Sequence, residues 1–238
     1  MIKISKYILK VRKSLKDKAT PEYKKSAQRF FKSKVKVYGT NSSDVTKIVN
    51  TIYEEIKLLP KNDIFEICEE LYKSGYEEEA WVAAGIAYRI RKSFVPNDFK
   101  TFERWIKNYI DDWAKCDGFC NHTVGYFIET FPKYISNLKK WSKSKNIWLK
   151  RASAVSLILP TRDGKFLDDV FEISDTLLMD ENDMVQKGYG WLLKETCKKN
   201  EKLVFDYIMK HKKYMPRTAL RYAIEKMPEK MKKQAMEK

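Results

Sequence analysis

Apolar residues recur at three- and four-residue spacing from one end of this chain to the other, and that periodicity constrains the fold more than any motif. Ile64, Ile67 and Leu71, then Val82, Ile86 and Ile90, mark two successive helices with one apolar face each. Only 8 glycines and 7 prolines punctuate 238 residues, and no hairpin dipeptide separates alternating segments. A β architecture is therefore excluded. Breaks at Pro21, Gly39–Thr40–Asn41–Ser42, Pro60, Gly75, Pro96, Pro132, Pro160, Asp163–Gly164, Pro216 and Pro228 cut the chain into short helical pieces. Ser42–Ser43, Asn62–Asp63 and Asn182–Asp183 read as N-caps. Tyr76 precedes three carboxylates, Glu77 to Glu79, which a helix N-terminus favours.

Short helices without a heptad seam predict an all-α fold, an α-solenoid of stacked antiparallel helix pairs. The segments KNIWLKRASAVSLILP and MVQKGYGWLLKETCKK each place a tryptophan and a cation early on a helix, with small residues nearby. Their separation fits HEAT-like repeats of roughly 40–47 residues. No linker or low-complexity tract interrupts the chain, so residues 1–238 are expected to form a single domain.

Charge points to the partner. With 48 basic against 32 acidic residues, the net charge of +16 favours a polyanion, because each phosphate neutralised releases condensed counterions. The N-terminal segment is cationic and amphipathic but lacks the run of a secretory signal, and no stretch approaches a membrane span. The expectation is a cytoplasmic, nucleoid-associated monomer without membrane contact. Four cysteines, Cys68, Cys116, Cys120 and Cys197, make no disulfide framework. Cys116, Cys120 and His122 lack the second ligand pair of a zinc site, so buried free thiols and no metal are expected.

Against this basic background Asp117 follows Trp113 by one helical turn. Trp148 precedes Arg151 by three residues, and Trp191 precedes Lys194 likewise. Residues three and four apart share a helix face. Indoles, one carboxylate and cations together suit a cationic group embedded in a polyanion, as in alkylated DNA. Each residue also has a structural reading. The tryptophans could pack between repeats, Asp117 before Gly118 could be a turn or cap, Arg151 could pair with a neighbouring helix, and Lys194 with Glu195 could be solvated surface. Phosphate-cradling glycine loops and a nucleophile elbow are absent, and the adjacent pairs Asp111–Asp112 and Asp168–Asp169 diverge on a helix.

The segments NYIDDWAKCDGFC, WSKSKNIWLKRASAV and DMVQKGYGWLLKE, in this order, resemble the DNA alkylation repair glycosylases of the AlkD type, which are built from HEAT-like repeats. The resemblance runs across nearly the whole chain. It implies a curved, concave, basic surface and excision of N3- and N7-alkylated purines from double-stranded DNA, without metal or other cofactor and without flipping the base. By matching positions it makes Asp117 the catalytic carboxylate, sets Trp113 and Trp191 beside the damaged nucleotide, and gives Arg151 a backbone phosphate. Trp148, Lys150, Lys187 and Lys194 join as DNA contacts, Lys194 standing where the family often has arginine. The segment Asn41–Ser42–Ser43–Asp44 departs from the family's pattern. A non-catalytic DNA- or RNA-binding helical-repeat protein and a protein-interaction scaffold are the alternatives that composition leaves open.

Overall fold

The structure, a computed structural model, describes residues 2–237. Its helices gather into two compact units, Met1–Thr101 and Phe102–Lys238, within the span read from sequence as one domain.

In the first unit α1 (Ile2–Lys18), α3 (Ser42–Ile56), α4 (Lys61–Lys73) and α5 (Glu77–Arg89) pack together, while α2 (Pro21–Gln28) buries no residue. Fully buried Ile67, Leu71, Val82 and Ile86, which the periodicity marked out, join Val11, Leu15 and Ile56 in the core. Two caps differ from expectation. Helix α3 is capped by Asn41, whose side chain accepts from the Asp44 N–H at 2.9 Å, so Ser42 and Ser43 lie inside the first turn. Helix α4 starts one residue after Pro60, which leaves Asn62 and Asp63 within it and no side-chain cap. Asn41 already holds the extended conformation that an N-cap needs, and Pro60, with φ −54° and ψ 140°, sets the start of α4 at Lys61.

The carboxylates opening α5 are buried rather than solvated. Glu78 accepts hydrogen bonds from the backbone N–H groups of Tyr38, Gly39 and Thr40 at 3.0, 2.8 and 3.2 Å. Glu79 accepts the Tyr38 hydroxyl at 2.6 Å and the Arg12 Nε at 3.2 Å. Gly39 has φ +104°, a backbone conformation open to glycine that turns the loop onto Glu78.

The second unit contains the tail of α6 (Asp98–Tyr109), then α7 (Trp113–Phe119), a π-helical turn (Cys120–Val124) and α8 (Gly125–Thr130). There follow α9 (Ile135–Ser142), α10 (Ile147–Val155), α11 (Ile158–Arg162), α12 (Leu167–Leu177), α13 (Asp183–His211), α14 (Arg217–Ile224) and α15 (Glu229–Met236). Helix α13 kinks at Asn200, whose φ and ψ of −131° and 46° leave the helical region. Pro160 does not end a helix. It sits in the first turn of α11, where its missing N–H costs nothing, and the break falls at Ser156–Leu157 instead. Phe102, Trp105, Phe119 and Phe127 form a buried aromatic cluster with edge-to-face pairs 5.6 Å apart.

Packing in this unit makes a ladder. Helix α7 packs on α10, α10 on α13, and α13 on α14; alongside, α9 packs on both α10 and α12. The segments singled out from sequence lie on successive rungs of that ladder.

Candidate functional site

The three rungs that carry those segments, α7, α10 and α13, each begin with a side-chain cap. Asp112 accepts the N–H groups of Ala114 and Lys115 at 2.7 and 3.0 Å and so starts α7 at Trp113. Asn146 does the same for α10 through Trp148 and Leu149, and Asn182 for α13 through Met184. These caps fix where each helix begins and hence which way its first-turn side chains point.

Asp117 lies inside α7, one turn after Trp113, so the turn or cap role is excluded: the helix continues through Gly118. Its partner is Arg151 on α10, which lies 34 residues away. The guanidinium donates Nε to Oδ1 at 2.8 Å and Nη2 to Oδ2 at 2.7 Å, a two-pronged ion pair. The remaining terminal nitrogen, Nη1, donates to the Met184 carbonyl in the first turn of α13. One side chain thus ties three rungs together. The Arg151 side chain is 6% exposed, and that of Asp117 is 15%.

Gly188 makes this crossing possible. A Cβ there would stand 3.2 Å from Arg151 Cγ, so α13 lies directly against the arginine stem. Two residues on, a Cβ at Gly190 would meet the Ala219 carbonyl and Tyr222 Cβ, each at 2.8 Å. The backbone leading to Trp191 is therefore gripped from both sides, by α10 and by α14.

Burial pushes the Asp117 carboxyl upward from its ordinary value; the hydrogen bonds and charge of Arg151 oppose that push, and Asp112 adds to it slightly. Burial works against the Arg151 charge too, yet Asp117 more than compensates and holds the guanidinium protonated. The adjacent Cys116 thiol is raised by burial, as suits an inert thiol, and its Sγ lies 3.8 Å from the Trp148 carbonyl. All four cysteines are free and buried, as expected.

Trp113, Trp148 and Trp191 are all half-buried, unlike Trp105 and Trp141, which are core residues. The expected DNA-contacting lysines each hold a carboxylate. Lys150 pairs with Asp180, Lys187 with Asp183 at 3.2 Å, and Lys194 with Glu225 at 3.0 Å. Lys194 Nζ also lies 5.8 Å from the Tyr222 ring centroid. His122 is exposed on the π-helical turn. Among the described residues no group of three metal-ligating side chains comes together, and no helix is long and apolar enough to cross a membrane.

Glu195 corrects the solvated reading given to the Lys194–Glu195 pair. It is 5% exposed and accepts from Trp191 Nε1 at 3.3 Å, Arg162 Nε at 2.7 Å and Lys198 Nζ at 2.6 Å. Its signal in sequence was an acid four residues after a tryptophan, the same spacing that marked Trp113 and Asp117. The Met184 carbonyl had no such signal, because every residue carries one.

Stacked helix pairs carrying a guanidinium-held carboxylate one turn from an indole define an all-α scaffold with a polar site built across its helices. The chain belongs to the DNA alkylation repair enzyme family, whose model matches residues 11–227. A solved structure titled "Predicted DNA alkylation repair enzyme from Enterococcus faecalis" superposes with a TM-score of 0.80 at 15% identity, covering 89% of this chain and 98% of that one, and shows the common fold. No curated protein matches.

Proposed function

We propose that this protein is a DNA glycosylase that releases N3- and N7-alkylated purines from duplex DNA. Membership of the family supplies repair of alkylated DNA. The finer reading rests on one observation: Asp117, held by two nitrogens of Arg151 yet 15% open, one turn from the half-buried Trp113.

The chemistry asks for little more. An alkylated purine is cationic, so when its bond to C1′ breaks the electron pair returns to the base and leaves it neutral. Positive charge then grows on the deoxyribose, as in glycoside hydrolysis. Water adds to C1′ and gives up its proton to Asp117 or to solvent. A base that departs this readily needs no buried acid around it and can stay in the stack. Each carboxylate oxygen that receives one Arg151 nitrogen keeps a further lone-pair direction for water or sugar. Because the guanidinium fixes the plane of the carboxylate, no reorganisation is needed as charge develops. Trp113 and Trp191 offer ring faces to the cation, each worth about 0.5–2 kcal/mol. Lys187, whose pair with Asp183 is partly exposed and contributes only about 0–1 kcal/mol, can exchange its carboxylate for phosphate, and Lys150 and Lys194 offer the same exchange from less exposed positions. Trp148 sits on the same rung as Arg151 and contributes its half-buried face.

Incubating N7-methylguanine duplex with the wild type and with Asp117→Asn, then counting abasic sites, tests the assignment. Release should fall on the order of 100-fold in the variant. No release by the wild type, or undiminished release by a variant shown to be folded, overturns it. Tight, salt-sensitive binding without release would instead establish a non-catalytic DNA-binding protein.

A further inference from the structure

We infer that Glu195 is a positioning residue whose carboxylate sets the plane of the Trp191 indole; its functional part rests on the glycosylase reading. The backbone at Trp191 is already held, because Gly188 lies against Arg151 and Gly190 against Ala219 and Tyr222. What remains is rotation of the half-buried indole about its own side-chain bonds. The bond from Nε1 to Glu195 Oε1, at 3.3 Å across one helical turn, removes that freedom.

The two oxygens of Glu195 divide their work. Oε2 takes both cations, Arg162 from α11 at 2.7 Å and Lys198 at 2.6 Å. Oε1 is left to the indole. Anchored by two charges and 5% exposed, the carboxylate is a fixed acceptor rather than a mobile surface group. Attraction of a cation by an aromatic ring depends on the cation lying over the ring face. An indole free to tilt would spend much of its time edge-on to the damaged purine. An anion accepting the N–H also draws electron density toward the ring and strengthens the face presented to a cation.

The prediction is specific to the N–H. Glu195→Ala should lower single-turnover release of N7-methylguanine about tenfold, the loss expected for one charge-assisted hydrogen bond in the transition state. Glu195→Gln keeps an oxygen acceptor and should recover most of it. In a Trp191→Phe background, which has no N–H, Glu195→Ala should cost nothing further. The Trp191 indole resonance, assigned by its loss in Trp191→Phe, should shift in a 1H–15N spectrum of Glu195→Ala and return toward its position in Glu195→Gln. Arg162 and Lys198 are 42% and 49% exposed, so both reach water once the carboxylate is gone and the variants should fold.

An equal loss in the Trp191→Phe background, or an unmoved indole resonance, overturns the inference. If the wild type releases no base at all, the glycosylase reading fails, and the indole spectrum alone then decides whether Glu195 holds Trp191.

Discussion

Removing one partner of the Asp117–Arg151 pair should cost stability as well as activity, and the two effects can be separated. Asp117→Asn leaves a guanidinium that is 6% exposed, with three nitrogens directed at fixed acceptors. The asparagine carbonyl can still accept one of the two lost bonds, while its amide group faces the other donor. Breaking a buried pair in this way costs about 3–5 kcal/mol when nothing replaces the lost acceptor. Asp117 retains 15% exposure and one bond survives, so about 2–3 kcal/mol is expected. For a chain of 238 residues each kcal/mol moves the midpoint by about 2–4 °C, so Tm should fall by roughly 5–10 °C. Asp117→Asn combined with Arg151→Met removes the stranded charge and should recover more than half of that loss, although base release stays on the order of 100-fold down. Thermal unfolding followed by circular dichroism reads the first effect, and abasic-site counts well below Tm read the second. A single variant that melts within 1 °C of the wild type would refute the claim that this pair locks α7, α10 and α13 together, whatever its activity.

Other perturbations follow from the same packing. Gly190→Ala puts a Cβ 2.8 Å from backbone and side chain of α14, so unfolding in urea should show a loss of about 1–2 kcal/mol despite the better helix former. Gly118→Ala meets nothing within 4 Å and lies in a helix, so the same measurement should show a gain of about 0.5–1 kcal/mol. Burial pushes the Glu195 carboxyl up, but Lys198 and Arg162 outweigh it and hold the group below its ordinary value. With the folded value under the unfolded one, its stabilisation is present above the ordinary carboxylate range and is lost as pH falls through the folded value. Glu195→Gln should accordingly be less stable than the wild type at neutral pH and nearly equal to it in strong acid. Lys194→Gln should weaken binding to undamaged duplex and reduce the salt-dependence slope by about 1, and an unchanged slope would remove Lys194 from the phosphate contacts.

Much of the candidate site was legible because it is local. A tryptophan and a charge three or four residues apart share a helix face in any α-helix, so the orientation of Trp113 with Asp117, or Trp191 with Lys194, follows from spacing. The same rule places Glu195 one turn after Trp191, where solvated surface beside Lys194 is an alternative that spacing leaves open. Its burial comes from Arg162 on another helix, and nothing in the segment announces that. The caps show a similar limit: Asn182 was legible, whereas Asn41 was overlooked beside two serines that suited the role equally well.

From its residues alone, then, the chain determined an all-α architecture, most of the places where helices break, and the spacing of indoles and charges along single helices. Those properties depend on backbone periodicity and composition, which act over a few residues. Only the tertiary structure decided that Arg151 spans from Asp117 to Met184, and that Glu195 is enclosed and bound to Trp191. Partners 33 and 34 residues apart meet through the register of one helix on the next. Close approach at Gly188 and Gly190 sets that register, and it is a property of packed surfaces rather than of any segment.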